Sequence, residues 1–372
     1  MKEEVTHMFT EKTTHKSDET SEKCNELCNN ANQAKLSRRE FLKKICLAGA
    51  GVAALTVFGS GLRSGPKVFA RDGYIPGYIA LAKSGELEYR ERELWKKMES
   101  CSLCPRMCGV NRMAGGIAVC SSDHTLRVSS SQITFAEERV IVGSGGAGSI
   151  FFSNCNLLCI FCQNWQIAHH GAGTQTSHAE LADMMLALQH GGAHNVGVVT
   201  PTHVVPHIVT ALRIAIDKGL NIPLIYDTSG YETVEVIKLL DGIVDVYQPD
   251  FKFQDCEIAA PFLQGAPDYA RYTAAAIKEM HRQVGTLDIV DGMANRGLLI
   301  RHLVLPENLA GTDDFVRWVV SELGADTHVN IMSQYRPEFR ARYHPPLDRR
   351  ITQSEFDQAM RWAREAGLRN FH

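Results

Sequence analysis

Cys155, Cys159 and Cys162 stand in Ser153-Asn-Cys-Asn-Leu-Leu-Cys-Ile-Phe-Cys-Gln-Asn164, a C-x3-C-x2-C run that directly follows the apolar residues 149–152. Three thiolates at this spacing can grip one iron–sulfur cubane. An isolated electron carrier normally supplies four cysteines, whereas three leave one iron free to bind something else. A free iron suits chemistry as well as electron storage. Phe161 places an aromatic face and a backbone amide beside the last cysteine, suited to shielding a cluster or holding a flat heterocycle. The competing reading is a structural zinc knuckle, but zinc asks for a fourth ligand and its usual signature is paired C-x2-C units.

A second set lies upstream: Cys101, Cys104, Cys108 and Cys120, separated by two, three and eleven residues, with Gly109, Gly115 and Gly116 supplying turns. Four soft ligands in one short loop make a closed metal site. The metal is zinc, knitting together a small domain that lacks a core, or a second cubane relaying electrons to the first. Seven of the eleven cysteines fall between Cys101 and Cys162, and such clustering argues for ligation over scattered disulfides. Cys256, alone, reads as a buried free thiol.

The elements that must position these groups follow from periodicity. Past residue 140, short apolar runs at 149–152, 196–200, 223–227, 244–250, 297–306 and 329–335 alternate with helical stretches at 179–189, 206–218, 232–240, 269–282, 313–323 and 353–366. Continuous apolar strands alternating with helices indicate a parallel α/β sheet of six β/α units. Six units fall short of the eight that close a barrel, so a partial (β/α)6 TIM-like barrel is expected, with reacting groups beyond the carboxyl ends of the strands. Polar residues stand there: Thr200-Pro201-Thr202-His203, Asp227-Thr228-Ser229-Gly230, Asp250-Phe251-Lys252, Arg301 with His302, and Gln334 with Arg336. Each also has an ordinary reading, as a helix cap or a surface charge.

The chain of 372 residues is 44% hydrophobic and 22% charged with a formal net charge of -3, which does not favour a nucleic-acid partner. Residues 1–36 are almost wholly polar and read as a disordered leader; Cys24 and Cys28 lie within it. Residues 37–70 carry Ser-Arg-Arg-Glu-Phe-Leu-Lys, an apolar stretch at 45–58 containing Cys46, and Val68-Phe69-Ala70. This pattern resembles a twin-arginine export signal, implying a periplasmic or membrane-associated protein, with a cytoplasmic one as the alternative. Residues 71–100 form an amphipathic helical lead-in, with Leu81, Leu87, Leu94 and Met98 on its packing face. The Cys-rich knob is expected at 101–140 and the partial barrel at 141–372.

The cysteine loop resembles the radical S-adenosylmethionine (radical SAM) superfamily, whose C-x3-C-x-aromatic-C motif it matches at every defined position. More narrowly, Cys101-Ser-Leu-Cys-Pro-Arg-Met-Cys-Gly-Val-Asn-Arg112, Val199-Thr-Pro-Thr-His203 and Arg301-His-Leu-Val-Leu-Pro306 resemble uncharacterised iron–sulfur proteins related to pyruvate formate-lyase activating enzyme. The resemblance covers about residues 85–372. It implies a [4Fe–4S] cluster on Cys155, Cys159 and Cys162 that binds SAM at its free iron and cleaves it reductively to a 5'-deoxyadenosyl radical. A hydrogen would then be taken from a substrate, which by resemblance is the loop of a glycyl radical enzyme. The alternatives are a small-molecule substrate or a non-enzymatic electron-transfer role.

The implied electron donor is flavodoxin- or ferredoxin-like. Such supplies are cytoplasmic, which conflicts with export. Asp227-Thr-Ser-Gly230 resembles the activating enzyme's Asp-Thr-Asn-Gly stretch and Asp250-Phe-Lys252 its Asp-Leu-Lys stretch. Asp227 and Lys252, with Arg301, are therefore the expected catalytic residues, and Phe161, Thr200, Thr202, His203, Ser229 and Asp250 join Asp227 and Lys252 as expected cofactor contacts. The carboxylates could also hold a monovalent cation. At strand two the chain departs from the family, because Pro201-Thr202-His203 replaces the Gly-Gly-Glu that receives the methionyl amino group.

Other motifs weigh less. Gly143-Ser-Gly-Gly-Ala-Gly148 precedes a strand, whereas a phosphate loop must follow one and open a helix. His190/His194 and His203/His207 have helical spacing but are interrupted by Gly191-Gly192 and Pro206, and neither forms HExxH. Trp165, Met184 and Met185 read as core.

Overall fold

Gly85 divides the expected lead-in into two helices, α1 (Gly77–Ser84) and α2 (Glu86–Glu99), because its φ of 79° is left-handed and ends the first helix. The computed structural model describes residues 73–372. The expected leader, export signal and Cys24, Cys28 and Cys46 lie outside the described residues. Leu87, Leu94 and Met98 are fully buried along α2, while Leu81 is half-buried. Glu91 on the same helix is neutralised by Arg213 at 2.9 Å and by the Thr210 hydroxyl, which donates at 2.6 Å.

Along the chain follow β1 (Arg127–Thr134), α3 (Arg139–Val142), β2 (Ala147–Phe152), α4 (Trp165–Ala168), β3 (Thr174–Gln175), α5 (His178–His190) and β4 (Val196–Val199). Next come α6 (Val205–Asp217), β5 (Leu224–Thr228), α7 (Val234–Leu239), β6 (Val246–Pro249), α8 (Cys256–Ala259) and α9 (Tyr269–Val284). The last are β7 (Asp288–Val290), β8 (Met293–Leu303), α10 (Thr312–Glu322), β9 (His328–Met332), α11 (Gln353–Glu365) and β10 (Asn370–Phe371). Helices α5 and α11 begin at capping boxes, Ser177 with Glu180 and Thr352 with Glu355.

One sheet runs β10-β9-β8-β6-β5-β4-β2-β1-β3, with β7 paired to β8. β2, β4, β5, β6, β8, β9 and β10 are parallel neighbours, so the six expected β/α repeats stand side by side in chain order. The pattern differs from expectation at the edges. β1 pairs antiparallel with β2, which brings residues from Arg127 onward into the sheet instead of the knob.

The two faces divide by the two-residue period of a strand. Ile150, Val198, Tyr226, Tyr247, Ile300 and Ile331 pack into the main core shared with the helices. The opposite face carries Phe151, Val199, Asp227, Gln248, Arg301 and Asn330 across adjacent strands. At the amino ends of that face, Ile141 and Val142 of α3 cluster with Ala147, Ile225, Val246 and Leu299. The carboxyl ends are left to polar side chains and a cavity. Among the described residues, no helix is long and apolar enough to cross a membrane.

Candidate functional site

β2 ends at Phe152, and the chain then folds into the cysteine loop with two non-glycine residues in left-handed conformation, Asn154 (φ 73°) and Leu158 (φ 59°). Such conformations cost free energy and persist where the surroundings hold them. The Asn154 amide donates to Ile167 O at 2.9 Å, its side chain donates to Ser122 Oγ at 3.0 Å and Ser121 O at 3.1 Å, and Asn156 donates to Tyr231 O at 2.8 Å. His169 meets the Cys159 carbonyl at 2.9 Å, and its ring packs on Phe339, which also stacks on Trp165. Trp165 is thus half-buried beside the loop rather than in the core.

This folding brings Cys155, Cys159 and Cys162 to the wall of one cavity of about 730 Å³ at the carboxyl ends of the strands. Burial pushes all three thiols up, Cys162 to about 11, while Lys252 pulls each of them down. The Leu157 amide donates to Cys155 Sγ at 3.3 Å, a bond that favours the thiolate. No fourth cysteine lines the cavity. Among the described residues, no group of three or more His, Cys, Asp or Glu is set to hold a single metal ion. The thiolates of a cubane sit on separate irons, so they need to converge without sharing one centre. The donors fit a three-cysteine cluster by chemistry and convergence.

The same cavity is lined by Phe161, Thr200, Asp227, Thr228, Ser229, Asp250, Lys252, Arg301 and Gln334. Lys252 Nζ donates to Asp250 Oδ2 at 2.5 Å; burial opposes its charge, but the carboxylate beside it holds it protonated above the ordinary lysine range. Tyr269 fastens the ends of β5 and β6: its hydroxyl meets Ser229 O at 2.9 Å and Asp250 O at 3.1 Å and receives the Lys252 amide at 3.0 Å. Gly230 completes the turn at φ 80°, where a Cβ would lie 2.3 Å from Asp250 O. Ser229 Oγ is buried with no partner, an orphaned polar group in the cavity wall that suits a polar ligand.

Arg301 projects from β8 into a carboxylate cluster. It donates to Asp227 at 3.0 Å, to both oxygens of Glu138 at 2.9 and 2.8 Å, and to Glu137. Glu138 also accepts from Asn330 at 2.7 Å and Gln248 at 2.6 Å. Burial opposes ionisation of Glu138, but Arg301 and Asn330 outweigh it and hold the carboxyl at about 2. Asp227 goes the other way: burial and the like charges of Asp250, Glu137 and Glu138 overcome Arg301 and raise it to about 7. One guanidinium serves three carboxylates, and Asp227 is the one left poorly compensated.

Two expected cofactor contacts lie elsewhere. Thr200 takes φ 59°, and a short 3-10 turn at Thr202–Val204 then carries the next residues under the knob. Thr202 is buried and donates to Glu232 at 2.6 Å, and His203 is buried with Nε2 against Ser153 O at 2.8 Å. His302 also leaves the strand-end set. It is fully buried on the helix face between Phe251 O at 2.7 Å and Thr312 Oγ1 at 2.9 Å, stacked on Phe315. Cys256 is half-buried, not buried. Glu137, Glu138 and Asn330 were not legible as site residues, since only the pairing of β1 with β2 and of β8 with β9 brings them to the cavity. Glu232 was missed too: it is fully buried, raised by burial to about 7, and accepts from Thr202, Thr228 and Tyr226.

No protein-family model matches the chain. Solved structures overlap part of it, two of them as follows. HydG, a maturase of the [FeFe]-hydrogenase, has a TM-score of 0.44 at 15% identity, over 60% of this chain and 50% of that one. TYW1 with a lysine-pyruvate adduct bound has a TM-score of 0.36 at 10% identity, over 58% of this chain and 73% of that one. The chain spans half the length of HydG, and overlaps this loose carry no argument about activity. In sequence, the chain is 31% identical over 280 residues to Uncharacterized protein MJ0674 of Methanocaldococcus jannaschii, covering 73% of this chain and 76% of that protein. The chain belongs to the family of MJ0674.

Proposed function

We propose that this protein is a radical SAM enzyme. The observation that carries the reading is the convergence of Cys155, Cys159 and Cys162, without a fourth cysteine, on a cavity at the carboxyl ends of a parallel sheet. When bound, the cluster and SAM would supply one-electron cleavage of the sulfonium and a 5'-deoxyadenosyl radical able to take hydrogen from a substrate. The chain's own groups then bind, orient and exclude water. Phe161, edge-on to Phe253 and Tyr335, offers a fixed aromatic wall. Ser229 offers a free hydroxyl. Glu137, Glu138 and Asp227 exceed the charge of Arg301 and so complement a cation, as the sulfonium and ammonium of SAM require. These carboxylates take the place of the acceptor that Pro201-Thr202-His203 does not provide.

The strand path leaves the sheet unclosed, which supports a partial barrel with a side open to substrate. The likeness of Asp227-Thr-Ser-Gly230 and Asp250-Phe-Lys252 to an activating enzyme supports a protein substrate, the loop of a glycyl radical enzyme. A flavodoxin- or ferredoxin-like carrier would supply the electron. Anaerobic reconstitution, reduction and addition of excess SAM test the reading by chromatographic assay of 5'-deoxyadenosine and methionine. Release is expected from the full chain and lost in Cys159→Ala. A fully loaded cluster whose spectrum does not respond to SAM, with no release, would overturn it.

A further inference from the structure

We infer that the knob formed by Cys101, Cys104, Cys108 and Cys120 holds a second iron–sulfur cluster, which passes electrons to the cavity cluster. The four cysteines line one small pocket beside Arg106, Arg112 and His203. Cys101, Cys104 and Cys120 are buried and Cys108 is half-buried.

Arg112 supplies the observation that asks for an anion. It is fully buried and lines the cysteine pocket, and its guanidinium donates to Asp123 O at 2.9 and 2.6 Å and to His203 O at 2.8 Å. Every oxygen partner is a neutral carbonyl; among the described residues, no carboxylate pairs with it. A buried cation without a counter-charge is costly. Four thiolates around a metal centre leave a net negative charge beside Cys101 and supply the missing partner.

Two direct bridges join this pocket to the cavity loop. Asn154, next to Cys155, donates to Ser121 O at 3.1 Å and Ser122 Oγ at 3.0 Å, next to Cys120. Arg106, two residues after Cys104, donates to Leu157 O at 3.1 Å and to Asn156 O within the cysteine triad's loop. A structural zinc needs neither bridge, whereas a relay needs the two centres adjacent. The electron enters from a one-electron carrier protein and leaves for the cavity cluster, so each transfer reduces one centre and oxidises the other.

The relay rests on the reading of the cavity triad as a cluster site, but the knob's occupant is tested separately. The triple variant Cys155→Ser/Cys159→Ser/Cys162→Ser of the full chain is purified without oxygen and analysed for iron, labile sulfide and zinc, and by electron paramagnetic resonance after reduction. About four irons per chain and a reduced-cluster signal are expected. Zinc in place of iron, or neither, would overturn the inference. A wild type with about four irons, all lost in the triple variant, would overturn it and leave the proposed function standing; four irons in both would sink the proposed function instead. Should the triple variant not fold, Arg112→Gln keeps every thiol. It is expected to move one of two reduction steps to lower potential and leave the other in place, and a single unshifted step would overturn the inference.

Discussion

Asp227→Asn tests the charge balance of the cavity. Asp227 sits 3.0 Å from Arg301, which also serves Glu138 at 2.8 Å and Glu137. Burial is the largest influence, and with Asp250, Glu137 and Glu138 it raises Asp227 from 3.8 to about 7. A carboxyl whose folded value lies above its unfolded one contributes stability that is complete below the unfolded value and lost as pH rises through the folded one. The shift is roughly three units at about 1.4 kcal/mol each, so ionised Asp227 costs on the order of 4 kcal/mol by pH 8.5. Asparagine keeps an oxygen for Arg301 and never ionises. The variant is therefore expected to gain up to about 4 kcal/mol over wild type at pH 8.5, about half that near pH 5.5, and almost nothing below pH 4. Urea melts of the full chain under anaerobic conditions measure this. Subtracting wild type from variant at each pH cancels the contribution of bound clusters. A variant less stable than wild type at pH 8.5 would refute the reasoning, because it would mean that the Arg301 ion pair outweighs burial.

Three further outcomes are expected. Gly197→Ala should destabilise the sheet by about 1–3 kcal/mol in urea melts, because its Cβ would lie 2.8 Å from the Gly148 carbonyl on the neighbouring strand, and backbone yields little. Thr200→Gly should raise the urea midpoint by about 1 kcal/mol of stability, since a β-branched residue at φ 59° is strained and glycine is not. His302 is a base lowered by burial from 6.5 to about 4, so its stabilisation is present above pH 6.5 and lost as pH falls toward 4. His302→Gln should flatten that acid limb by about 3 kcal/mol, read from melts at pH 7 and pH 4.

The cysteine loop was legible because its information is covalent: C-x3-C-x2-C holds three thiols close together whatever the fold around them. The six repeats were legible because each strand carries a short apolar run, and the stretches between have helical length and spacing. What misled was the geometry within single strands and turns. Arg301 and His302 are adjacent, so a strand must send them to opposite faces, and only Arg301 reaches the cavity. A list of polar residues at a strand end cannot separate them without the register. Thr202 and His203 were lost to the ligand by one left-handed residue, Thr200, a conformation that no sequence pattern at a threonine announces. Glu137 and Glu138 follow an antiparallel edge strand whose pairing partner lies beyond them in the chain, and nothing local marks them.

The placement of unmet polar demand argues for function independently of any motif. A buried ion pair is weak evidence for stability, since a well-packed apolar replacement often does as well or better. The sheet buries His302 with both ring nitrogens partnered, on the helix face where nothing else is asked of it. On the opposite face, three carboxylates share Arg301, the Ser229 hydroxyl has no partner, and three thiols are pushed up by burial. All of these residues line one cavity. Packing alone would remove such groups or pair them, so their convergence on one cavity supports the proposed polar, partly cationic ligand.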